Sequence, residues 1–185
     1  LDLQDNHPTE FEVMTVIAII YFSRQTDIAL IEAGMGGKED TTNVILPAVS
    51  VITNVSMDHM PFLGDSIEAI TRHKSGIIKR NTPIVIGKVP LESRQFIRNC
   101  ANEKTAPIYE LHQDYDYREK EDKTYEWTFR DVSSIHFTLQ MAGTHQIDNA
   151  AAAIMVLHLL EKEGKKIDWQ QVGHHLQATQ LIGRF

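Results

Sequence analysis

Glu32, His59 and Lys74 stand where the surrounding pattern calls for apolar or inert residues. An apolar run over 27–32 ends in the carboxylate of Glu32 and passes at once into Ala33-Gly34-Met35-Gly36-Gly37. A second apolar run over 49–54 is followed by Asp58-His59. Ile67, Ile70, Lys74, Ile77 and Ile78 trace one helical face with an amine in its middle. A carboxylate, an imidazole and a misplaced lysine beyond strand ends suggest a metal–phosphate site. Open α/β sheets bind ligands past the carboxyl ends of their strands. Glycines there permit tight turning and close approach of phosphate to backbone N–H groups.

Each of these residues also has a plainer reading. Glu32 can be a solvated carboxylate at a strand end, and His59 an ordinary loop histidine beside a turn-forming Asp58. Lys74 can snorkel along the edge of the core. Its sharper reading is an amine whose charge burial disfavours, able to add carbon dioxide and become a carbamate. That reaction turns a cation into an anionic oxygen ligand for magnesium. Asn149 opens an alanine-rich helix, where asparagine is a poor choice. Its amide either bonds locally to backbone or reads a purine edge.

The elements that must position these groups alternate. Thr9 and Glu12 have capping-box spacing and start a helix reaching about Ser23. Strands follow over 27–32 and 49–54, then a helix over 66–79 capped by Asp65. A strand over 83–87, a helix over 91–104 and a strand over 107–110 come next. Strands without apolar–polar alternation are covered on both faces, as in parallel sheets. The fold class is therefore α/β: an open, mostly parallel sheet flanked by helices. The charged stretch 114–123 reads as a solvated loop or an edge. Residues 125–130 and 134–141 alternate and predict an antiparallel hairpin near the sheet edge. Helices over 147–160 and 168–178 complete the chain, and His174-His175 on the last one caps it or faces solvent.

With 185 residues, 42% of them hydrophobic, the chain can fill one core, so one domain spanning 1–185 is expected. It starts at Leu1 and stops at Phe185 without turn or tail character, and reads as a piece of a longer protein. A formal charge of -7 with scattered Lys and Arg argues against nucleic acid as a partner. Cys100 is the single cysteine and forms no internal disulfide, so a reducing, cytoplasmic setting is expected. No signal peptide is visible. The apolar stretch from Phe11 to Phe22 covers about 12 residues, short of the roughly 20 a membrane span needs; no membrane partner is expected.

Taken together, several stretches resemble the central ATPase domain of folylpolyglutamate synthase/dihydrofolate synthase, within the Mur ligase superfamily. They are Thr9-Glu10-Phe11-Glu12, the run from Glu32 to Asn43, Ile52-Thr53-Asn54 with Asp58-His59 and Leu63-Gly64, and His73 to Lys79. Gly143-Thr144-His145-Gln146 with Asn149-Ala150-Ala151, and Gly183-Arg184-Phe185, follow in family order. The resemblance spans essentially the whole chain and implies a P-loop-NTPase-like domain. By it, Glu32 and His59 are magnesium ligands and Lys74 is a carbamylated lysine acting on metal and γ-phosphate. Asn149 holds adenine and Arg184 contacts ATP near the junction to a carboxyl-terminal domain. Thr9, Phe11, Asp40 and Thr41 line the pteroate or folate pocket.

The implied reaction is ATP-dependent, ADP-forming ligation of L-glutamate to a folate or dihydropteroate carboxylate through an acyl phosphate, with Mg2+ as cofactor. The family's P-loop and carboxyl-terminal domain are expected outside this chain, which contains no GxxxxGK[ST]. Thr41 replaces a common Ala and Ile182 a common Pro. Two other readings stay open: a cell-wall amino-acid ligase of the same superfamily, and a non-catalytic nucleotide-binding module. A metal hydrolase built on Glu32 and His59 lacks a second ligand cluster.

Overall fold

The computed structural model describes residues 7–57, 60–130 and 132–180. Helix α1 (Glu10–Gln25) begins at the expected capping box: the Thr9 hydroxyl accepts from the Glu12 N–H, and the Glu12 carboxylate accepts from the Thr9 N–H. Strands β1 (Ser50–Asn54), β2 (Ile84–Lys88) and β3 (Ile108–Glu110) form a parallel sheet in that order. Ser50 pairs with Ile84, and Ile84 in turn with Ile108.

The two faces of β2 explain its lack of alternation. Val85 faces one apolar cluster with Ala151, Ile154 and Met155, while Ile84 and Ile86 face another with Ile70 and Ile97. Ile70 belongs to α3 (Ile67–Lys74), which follows the short α2 (Met60–Leu63); Ile97 belongs to α4 (Leu91–Glu103). The alanines belong to α5 (Thr144–Lys162), whose small side chains let it lie close to the sheet. Burying each Ile or Val on both sides is worth about 1.5–3 kcal/mol per side chain.

The second sheet is separate. β4 (Tyr115–Glu119), β5 (Tyr125–Phe129) and β6 (Val132–Phe137) pair antiparallel in sequence order. The expected hairpin exists, but it joins β4 rather than the edge of the parallel sheet. β4 is the charged stretch, and it is indeed an edge: Asp116, Arg118 and Glu119 suit a strand open to water on one side. Buried tyrosine and tryptophan polar atoms join the layers. The Tyr115 hydroxyl donates to the Ile86 carbonyl at 2.9 Å, and Trp127 Nε1 donates to the Ala151 carbonyl at 3.1 Å. Tyr117 donates to Asp148 at 2.8 Å. Helix α6 (Trp169–Ala178), capped by Asp168, packs on β6.

Three expectations change. Residues 27–32 do not form a strand; no described segment hydrogen-bonds alongside them, and Ile28 and Leu30 are 53% and 95% exposed. An apolar pattern makes a strand only where a neighbour supplies the ladder. The helix predicted over 66–79 stops at Lys74 and passes into a 3₁₀ turn, Ser75–Ile77. Its cap is Ser66, whose hydroxyl accepts from Ala69 N–H at 3.1 Å, and not Asp65. Among the described residues no helix is long and apolar enough to cross a membrane.

Candidate active site

Lys74 is the last residue of α3, half-buried, and the ground around it is built with care. The glycine-rich loop after Glu32 docks on this helix end. Lys38 N–H donates to the His73 carbonyl at 2.8 Å. A Cβ on Gly76 would lie 2.3 Å from Lys38 Cα, so the two backbones touch where only glycine fits. Gly36, at φ +66°, turns the loop in a conformation that side-chain-bearing residues rarely adopt.

Asn43 binds the two segments together. Its amide donates to the Lys38 carbonyl at 3.1 Å and to the Gly76 carbonyl at 3.3 Å. Its own carbonyl accepts from Lys79 Nζ at 2.6 Å. Burial, with Lys104 nearby, holds the Lys79 ammonium below its ordinary pKa. From the sheet side, the Ser50 hydroxyl donates to the Ile77 carbonyl at 3.0 Å. Loop, helix end and β1 are thus one unit. Glu32 is exposed at the loop's entrance. His59 and Arg184 lie outside the described residues.

On the other side of the loop sits a cavity of about 760 Å³ between α1 and the 3₁₀ turn Thr41–Val44. Asp40 and Thr41 line it. Phe11 lies over the loop: a Cβ on Gly34 would meet its ring at 2.6 Å. Thr9 forms the expected capping box. Its hydroxyl already donates to Glu12 at 2.9 Å and accepts from Glu12 N–H at 3.2 Å, which commits it to the helix cap. Asn149 is exposed on α5; its amide reaches the Gln146 side chain at 3.4 Å and, among the described residues, no backbone acceptor.

These geometries belong to a known family. A family model described as "Mur ligase middle domain" matches residues 3–157. The chain belongs to the Mur ligase middle-domain family. This Mur ligase domain is 38% identical to the dihydrofolate synthase/folylpolyglutamate synthase of Bacillus subtilis, over 84% of the chain and 38% of that protein. It is 37% identical to the folylpolyglutamate synthase of Lacticaseibacillus casei, over 86% of the chain and 38% of the relative. The chain therefore spans less than half the length of the curated relatives it matches. Among solved structures, an FPGS–AMPPCP–folate complex aligns with TM-score 0.88 and 32% identity, over 97% of this chain and 45% of that one. E. coli FolC in complex with DHPP and ADP aligns with TM-score 0.84 and 27% identity, over 98% and 42%.

Within this Mur ligase domain, two site residues had escaped the sequence reading. Thr15 is 7% exposed, lines the cavity and holds Thr41, Oγ1 to Oγ1, at 3.0 Å. A threonine inside the apolar stretch of α1 is the available signal. In the sequence Asn43 stands out only as the end of the run from Glu32. Removing one hydroxyl of this part-buried pair takes away the other's partner. Thr41→Ala is expected to destabilise the fold by about 1 kcal/mol, and the added Thr15→Val to recover part of that loss. Urea midpoints of the two single variants and the double variant measure the coupling; strict additivity would dismiss it.

Asp40 carries the electrostatics of this corner. Burial raises its pKa, but donors from the Thr42 hydroxyl and the Met35, Thr42 and Gly34 amides outweigh that and hold it below the ordinary 3.8. A depressed folded-state pKa stabilises above the unfolded value and is lost as pH falls through the folded one. Asp40→Asn is expected to lower the urea midpoint at neutral pH, with the gap to wild type closing below pH 3.8. A gap that stays constant with pH would show that the charge contributes nothing.

Proposed function

We propose that the protein containing this domain is an ADP-forming ligase that joins L-glutamate to the carboxylate of a folate or dihydropteroate. The observation that carries this reading is the loop that docks with one flank on the Lys74 helix end and the other on the Asp40–Thr41 cavity. A phosphate-handling side and an acceptor side thereby share one rigid wall. The likeness to relatives solved with AMPPCP and folate, and with Mn, AMPPNP and L-glutamate, supports the same substrates here.

In this reading the acceptor carboxylate attacks the γ-phosphorus of ATP and ADP leaves. The amine of glutamate then attacks the acyl carbon, the carbon–oxygen bond to phosphate breaks, and the nitrogen gives up a proton. No protein nucleophile is needed; burial, then Glu103, raise the Cys100 thiol pKa, which suits an inert cysteine. Glu32, His59 and carbamylated Lys74 are the proposed metal ligands, Asn149 the adenine contact and Arg184 an ATP contact. Among the described residues no three His, Cys, Asp or Glu side chains form a ready metal cage. A sparse donor set with Glu32 exposed fits magnesium, which takes one or two carboxylates and completes its shell with phosphates and water. When bound, magnesium would neutralise charge on the transferring phosphoryl group. This chain's own part is to hold acceptor and helix end in register through Asn43, Gly76 and Asp40. A reducing, cytoplasmic setting accords with the single cysteine.

The apolar surface of α1, with Met14, Ile17 and Tyr21 each more than half exposed, and that of Leu30 are proposed to pack against the remainder of a longer protein. The test is ADP release by the complete protein, with magnesium, supplied with tetrahydrofolate or dihydropteroate and glutamate. Release that depends on both acceptor and glutamate is expected, and the 185-residue chain alone should stay near background. Turnover only with cell-wall precursors would overturn the proposal; full turnover by the isolated chain would overturn its dependence on the rest of the protein.

A further inference from the structure

Three hydroxyl groups are buried where α3 meets α4, the two helices that bring Ile70 and Ile97 into one apolar cluster. Thr71, Ser75 and Ser93 are 1%, 3% and 1% exposed. Each of their protons has an acceptor. Thr71 Oγ1 donates to the Ile67 carbonyl at 2.6 Å, and Ser75 Oγ donates to the Thr71 carbonyl at 2.7 Å. A threonine hydroxyl has one proton, and Thr71 gives its own to Ile67. At the 2.7 Å contact between the two hydroxyls, Ser93 therefore donates and Thr71 accepts. Ile67, Thr71 and Ser75 are thus linked at four-residue steps along one line of the helix, and Ser93 of α4 holds the middle of that line. Arg72 adds a second tie between the same helices, its guanidinium lying over the Phe96 ring at 5.1 Å.

The line ends beside Lys74. Hydroxyls that bond back to the carbonyl four residues earlier loosen and bend a helix, and α3 gives way to its 3₁₀ turn at Ser75. On the other side of Lys74, the His73 carbonyl takes the Lys38 N–H of the glycine loop. Lys74 therefore stands between two fixed neighbours, one tied to α4 and the other to the loop. Stability alone does not call for such a line. An apolar pair of the same shape would join α3 and α4 without burying a polar group, at little or no cost. Packed helices can slide and turn on apolar contacts, whereas a fully satisfied buried polar network specifies one arrangement. We propose that Ser93 and Thr71 are positioning residues for the ligase reaction: their hydroxyl bond fixes the rotation of α3 on α4, and with it the place where Lys74 presents its amine. The inference rests on the role of Lys74 given under the proposed function.

The test is ADP release by the complete protein, with kcat read apart from the KM values for ATP, acceptor and glutamate. Thr71→Val keeps the shape and removes the hydroxyl. It should lower kcat about tenfold while each KM stays within about twofold of wild type, the pattern of a small misplacement felt in the transition state. Thr71→Ser keeps the hydroxyl and should regain most of that rate. Thr71→Val combined with Ser93→Ala leaves neither hydroxyl unpaired, so the urea midpoint should return toward wild type while kcat stays low. A bond that served stability alone would let kcat recover with the midpoint. In a Lys74→Ala background, Thr71→Val should bring no further loss, because it acts through Lys74. If Thr71→Val does not fold, Ser93→Ala takes its place in the single-variant comparisons. Wild-type kcat in the single variant, recovery of kcat in the double variant, or the same tenfold loss on top of Lys74→Ala would overturn the inference and leave the role of Lys74 standing. Full activity in Lys74→Ala would remove that role, and this inference with it.

Discussion

Lys74→Ala in the complete protein is expected to lower ADP release by about 10²–10³-fold, the usual size of losing one preorganised charge-stabilising group. Added acetate should restore part of the loss. Alanine is a good helix former, and the contacts that dock the glycine loop on α3 use backbone atoms of His73 and Lys38. The scaffold therefore survives while the side chain is removed. Acetate can then place a carboxylate where the proposed carbamate would sit. The plain alternative is a lysine lying along the core edge with its stem packed and its amine in water. Lys74→Met separates the two: it keeps the stem and removes the amine. Activity retained by the Met variant, or loss that no small carboxylate repairs, would remove the carbamate role.

Gly76→Ala should disturb the same site by another route. The new Cβ would lie 2.3 Å from Lys38 Cα, 2.4 Å from Lys38 Cβ and 2.7 Å from Lys38 N. Two of these are backbone atoms, so rotating a side chain gives no relief. Either the loop or the helix end must shift, at a cost of about 1–3 kcal/mol. The shift also strains the Lys38 N–H bond to His73 and the Asn43 amide bond to the Gly76 carbonyl. We expect a lower urea midpoint together with a rise in KM for the acceptor, because the displaced loop carries Asp40 and Thr41 into the cavity wall. A wild-type midpoint and wild-type kinetics would show that the close approach positions nothing.

How much of this was visible beforehand depends on whether the cause was local. The Thr9–Glu12 cap follows from two side chains three residues apart, and the structure has it. β1 could be placed because the run over 49–54 has no alternation, and its Val51 and Ile52 meet different cores. The run at 27–32 carried the same signal and is no strand, since its ladder requires a neighbour that no local pattern announces. β4 was obscured by its charges: an edge strand needs only one face to be apolar, and Tyr115 and Tyr117 supply it. The convergence of Phe11, Asp40 and Gly34 could be expected only through family resemblance, as they lie on separate elements.

The amino-acid order alone announced most of the helices and strands and the parallel sheet, and named the candidate residues. Those follow from periodicity, capping and residue chemistry, which act over a few positions. Only the folded chain decided that α3 ends at Lys74, that Asn43 ties the loop to that end, that Thr15 reaches Thr41, and that His158 is buried beside Phe129 and Trp169. Each of those depends on which segments are brought within bonding distance, a choice made by the burial of the two cores around β2.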